Sequence, residues 1–163
     1  MKTAKLTFLG LLVLGGVSGC AHTATFPGTN IKVTQANREI IDTIEEYRQR
    51  VMARNVEGLL LLASPNYFED GGTPQANDDY GYAGLASILS SRLQRVESIR
   101  YDIQYKSIRI RNDGRAEVEA YLSGAFELQG EVGDRYRRVN DFHRFVLEPA
   151  PHGSFKWKFV AGM

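Results

Sequence analysis

Between residues 37 and 52 the apolar side chains Ile40, Ile41, Ile44, Tyr47, Val51 and Met52 recur in steps of three and four. Glu39, Asp42, Glu45, Glu46, Gln49 and Arg50 fill the other side. That period predicts an amphipathic helix, with Glu46 and Arg50 at the supportive i, i+4 spacing on its wet face. Asn55 is placed to cap a short second helix over 56–63, whose run from Leu59 to Leu62 is apolar all round and therefore expected to be buried. Ser64-Pro65 ends it. NYFED (66–70) reads as a brief aromatic strand and GGTPQANDDYG (71–81) as a loop. A third helix then carries Tyr82, Leu85, Leu89, Leu93 and Val96 as its stripe, with Asp78 or Asp79 favouring its N-terminus.

After Val96 the period changes to two. Ile99, Tyr101, Ile103 and Tyr105 share one face of a strand, and Val118, Ala120, Leu122, Phe126 and Leu128 one face of the next, with Asn112-Asp113-Gly114 as the turn between them. Residues 136–148 predict a third long strand and 154–161 a fourth, with Phe155, Trp157 and Phe159 on one side.

Helix, helix, short strand, helix and then an antiparallel meander is an α+β order. With YRQRVMARNVEGLLLLASPNYFED leading in and FHRFVLEPAPHGSFKWKFVAGM closing, residues 37–163 resemble the nuclear transport factor 2-like superfamily, which includes polyketide-cyclase and ketosteroid-isomerase relatives. The resemblance rests on element order and pattern. It implies a cystatin-like cone, in which a curved antiparallel sheet wraps around three N-terminal helices and leaves a pocket at its open end.

The N-terminus changes the picture of where such a domain would work. Lys2 and Lys5 precede an uncharged apolar run from Leu6 to Val17, the layout of a secretory signal and too short to span a bilayer as a helix. Val17-Ser18-Gly19-Cys20 resembles the bacterial lipobox. The resemblance implies a signal peptide over 1–19, a lipidated Cys20 as new N-terminus and a membrane-bound envelope protein. By the same resemblance to bacterial lipoproteins, Ala21 after the cysteine implies sorting to the outer membrane, facing the periplasm. Residues 20–36 then read as a flexible tether, broken by Pro27-Gly28, and 37–163 as the domain. As the only cysteine in 163 residues, Cys20 leaves no internal disulfide, and a buried inert thiol is its other reading.

Charge excludes one class of partner. The chain's net charge is +1, and without Lys2 and Lys5 it holds 18 basic against 19 acidic side chains, not the basic excess of a nucleic-acid binder.

Candidate chemistry gathers in RVNDFHRF. Asp141 and His143 fall two apart on the strand face that also carries Val139, Phe145 and Leu147. A carboxylate beside an imidazole is a natural acid/base pair, and a polar pair at a cavity rim is the structural alternative. Tyr47, Tyr67, Tyr101, Tyr105 and Trp157 are candidates to line the same pocket for a small apolar or amphipathic ligand, or to fill an ordinary core. Arg137 shares the face of Asp141 and, like Arg135, is a candidate guard of the pocket mouth or a solvated strand end. Glu69, Asp70, Asp78 and Asp79 lack the spacing of a calcium loop, so capping and turn roles are expected there rather than a metal. No nucleophile elbow, zinc-type His/Cys set or phosphate loop is present, and no cofactor is expected.

Three functions remain open at this point. One is a lipid-anchored module binding a small ligand or another envelope protein. The second is an acid/base enzyme of isomerase or dehydratase type using Asp141 and His143. The third is a structural subunit, a homodimer through its sheet. The expectation is the first, with the enzyme as the alternative.

Overall fold

A computed structural model describes residues 24–71, 78–128, 136–150, 153 and 155–163. The signal segment, Cys20 and Arg135 lie outside them. Residues 24–33, expected as tether, form a small hairpin: Thr25 bridges Lys32, the Phe26 amide donates to the Ile31 carbonyl, and Gly28 turns the chain with φ +71°. Ile31 is buried and the Arg38 guanidinium sits over the Phe26 ring, so apolar contact holds this segment where composition alone suggested freedom.

Helix α1 (Gln35–Met52) starts two residues earlier than its apolar period, because the Thr34 hydroxyl accepts from the Asn37 amide and caps it. Ile40, Ile44, Tyr47 and Val51 are its buried stripe. Its expected wet face is only partly wet. Arg50 reaches Glu46 at 2.7 Å, also donates to the Gly58 carbonyl, and lies over the Phe155 ring. It thereby ties α1 to α2 (Val56–Leu62), which Asn55 caps by accepting from the Gly58 amide at 2.8 Å. Leu59 and Leu62 are fully buried but Leu61 is 63% exposed, since a helix of two turns lying on a core still keeps one side in water.

Strands β1 (Phe68–Glu69) and β2 (Tyr80–Gly81) pair and lead into α3 (Tyr82–Leu93). Gly81 stands at the N-cap of α3 without a side-chain cap, and Asp79 instead accepts from the Gly71 amide. Leu85, Leu89 and Leu93 are buried; Tyr82, expected in that stripe, is exposed.

The main sheet runs β3 (Val96–Ile110), β4 (Ala116–Leu128), β5 (Tyr136–Pro149) and β6 (Trp157–Ala161), all antiparallel and in sequence order. The β3–β4 turn closes through the Gly114 amide on the Arg111 carbonyl, with Gly114 at φ +84°. Bulges in β3 at 96–98 and 105–107 and between β5 and β6 let long strands curve. This curved sheet wraps the three helices, and its inner face forms the core with them.

Candidate functional site

Cross-strand register orders the inner face into rungs. Ile99, Phe126 and Arg137 form the first, Tyr101, Gly124 and Val139 the second, Ile103, Leu122 and Asp141 the third, and Tyr105, Ala120 and His143 the fourth. Asp141 and His143 therefore point to the inner face, as their spacing implies.

At the first rungs, between the end of α3 and the sheet, opens a cavity of about 720 Å³. Val96, Phe126, Leu128 and Val139 line it, together with the exposed side chains of Arg92, Arg95 and Arg137. Gly124 shapes the neighbouring rung, because a Cβ there would meet the Phe126 ring at 2.7 Å and the Tyr101 ring at 3.4 Å. Without one, both rings close over β4.

Tyr101 shares the second rung with Val139 of this cavity, and its ring packs edge-on against Tyr47 of α1, 6.2 Å between centroids. The two phenols act on one another's titration. Burial raises the Tyr47 phenol well above its ordinary value and the Tyr101 phenol to about 12, while the charge of Arg92 acts on Tyr47 in the opposite direction. Both stay protonated at neutral pH, so each keeps a proton to give.

The other aromatic candidates stand elsewhere. The Tyr105 hydroxyl donates to Glu45 at 2.7 Å, and burial, then that bond, raises its pKa. Tyr67 donates to Glu69 at 2.9 Å and tilts against the Tyr80 ring. Trp157 pairs with Pro149, twelve residues along β5 from Arg137, or roughly 40 Å of strand. These five aromatics do not line one pocket: Tyr101 stands on the rung next to the cavity and backs onto Tyr47 without lining it, and Trp157 packs at the opposite end of the sheet. A parity rule assigns a face but not a position along it.

His143 is half-buried, its ring edge-on to Phe145 at 4.6 Å. Its Nε2 lies 2.8 Å from the Gly162 carbonyl. A carbonyl only accepts, so Nε2 carries the proton, and in the neutral ring Nδ1 keeps its lone pair. Asp141 is exposed on the free half of β5, and no hydrogen bond or ion pair joins it to His143. The expected dyad is thus two groups on one face, of which His143 is held by the Gly162 carbonyl and Asp141 is exposed.

One network escaped the sequence reading. Glu69 Oε2 accepts both the Tyr67 hydroxyl and the Gly162 amide, and the Met163 amide donates to the Tyr67 hydroxyl. Tyr67 and Glu69 were legible as a pair two apart in NYFED, but their partners lie more than ninety residues away. Glu69 and Asp79 are thereby engaged in holding the backbone. Among the described residues no group of three or more His, Cys, Asp or Glu side chains gathers to hold a metal ion, and no helix is long and apolar enough to cross a membrane.

No sequence family and no curated protein matches the chain. Solved structures do. A protein from Novosphingobium aromaticivorans, provisionally named a scytalone dehydratase, superposes with a TM-score of 0.66 at 13% identity, covering 78% of this chain and 80% of its own. One from Streptomyces avermitilis, provisionally named a dehydratase of the nuclear transport factor 2-like family, gives 0.60 at 13%, covering 77% and 92%. The chain has a nuclear transport factor 2-like fold. The same fold relates it to a Xanthomonas campestris protein provisionally named a calcium/calmodulin-dependent protein kinase II association domain, with a TM-score of 0.62 at 16% identity, covering 86% and 90%. At such identities the likeness is one of fold, and the fold serves enzymes and assembly modules alike.

Proposed function

We propose that this chain is an acid/base enzyme of isomerase or dehydratase type, acting on a small amphipathic molecule held at the wide end of its cone. The observation that carries this reading is the cavity beside the Tyr101–Tyr47 pair. A substrate reaching from the cavity to the second rung, where Val139 and Tyr101 share register, would bring an oxygen to a phenol that stays protonated, while the apolar wall holds the rest of the molecule. Asp141 and His143, one and two rungs further along the same face, are the groups to accept a proton, His143 through Nδ1. The two provisional dehydratases among the structural neighbours support this chemistry over simple ligand storage. In this reading Cys20 carries the lipid and the enzyme works at the envelope, as the N-terminal segment implies. A second reading, docking through the convex face, is supported by Tyr121 and Phe142, exposed rings in edge contact 5.4 Å apart.

The test uses 5-nitrobenzisoxazole, whose N–O bond opens when a base removes its C–H proton and leaves the charge on oxygen. Full-length protein should open it with saturable kinetics. A double Asp141→Asn, His143→Gln variant should lose roughly a hundredfold in kcat/KM, and Tyr101→Phe should lower kcat. A wild-type rate no higher than that of the double variant would remove the enzyme reading.

A further inference from the structure

The rim of the cavity is chemically one-sided. Arg92 from α3, Arg95 from the turn after it and Arg137 from β5 converge there from three stretches of chain. Among the described residues none of the three makes an ion pair with a carboxylate. Elsewhere Arg48 stands beside Glu45, Arg50 beside Glu46 and Arg111 beside Glu117, while Arg38 is held over the Phe26 ring and Arg54 by the Val96 carbonyl. Three like charges gathered at one opening repel one another, and a bound anion would relieve that repulsion. The guanidinium is a planar fork that matches the two oxygens of a carboxylate, and Val96, Phe126, Leu128 and Val139 lie directly beside it.

We propose that this mouth selects molecules bearing a carboxylate on a compact apolar body, the carboxylate held by Arg92 and Arg137 with Arg95 adding charge, and the body pressed on the four apolar side chains. The inference deepens the reading above by naming the substrate class, and it rests on that reading for the position of the pocket. It also orders the substrate: with its anion at the rim, the body points inward to Tyr101.

Full-length protein in phosphatidylcholine nanodiscs, titrated with 2-naphthoate and with the neutral 2-naphthamide of nearly the same shape, tests this. Wild type should bind the naphthoate roughly tenfold or more tightly than the amide, as charge-assisted hydrogen bonds imply. Arg92→Gln with Arg137→Gln should bring the two affinities level, with the circular dichroism spectrum unchanged. Equal affinities in wild type would overturn the charge selection and leave the pocket standing. Binding of neither probe would overturn the pocket and the enzyme reading with it. If phosphatidylglycerol in the disc displaced naphthoate from wild type but not from the variant, a lipid headgroup rather than a soluble carboxylate would occupy the mouth, and the proposal would fail.

Discussion

The phenols of Tyr47, Tyr67, Tyr101 and Tyr105 are all raised, first by burial. In the unfolded chain they ionise near their ordinary value of about 10, so each contributes stability that is complete below that pH. The contribution is lost as pH rises toward the folded pKa, about 12 for Tyr101. Each tyrosine adds at most about 1.4 kcal/mol per pH unit to that decline. Urea unfolding midpoints should therefore hold below about pH 10 and fall steeply above it, with a shallower fall in Tyr105→Phe; a flat profile from about pH 9 to 11.5 would contradict the burial of these phenols. The sequence displayed these residues as aromatics at sheet spacing. Which of them meet was not visible there, since Tyr47 and Tyr101 are brought together only by the packing of α1 on β3.

At the scale of elements, the strand faces follow from alternation and agree with the structure over residues 112–128 and 136–147. What alternation does not give is where β6 ends against β5. Gly162 has φ +90°, and a Cβ there would meet the Arg144 carbonyl oxygen at 2.5 Å and the Phe145 Cα at 3.1 Å. Its carbonyl holds His143 and its amide holds Glu69. Gly162→Ala thus faces backbone on one side and a left-handed conformation on the other, and should destabilise the protein by about 2 kcal/mol or more. Equilibrium unfolding in urea measures this, and unchanged stability would mean that the segment is free to move away from β5.

For the whole molecule, the N-terminal reading and the fold are separate matters, joined only by the chain. Cys20→Ser should release the protein from the membrane fraction of the cells that make it, while the soluble product keeps its circular dichroism spectrum; a variant that still sediments with membrane would refute lipidation at Cys20. The sequence by itself determined the α+β class, the order of elements and the face of every long strand, because hydrophobic period and turn chemistry are local properties. It also determined that Asp141, His143 and Arg137 face inward. Only the tertiary structure decided how far apart they stand, that Trp157 lies at the other end of the sheet, that His143 is held by Gly162 and that three arginines meet at one mouth. Those are distances between segments far apart in sequence, set by strand register, bulges and helix packing, and no local pattern encodes them.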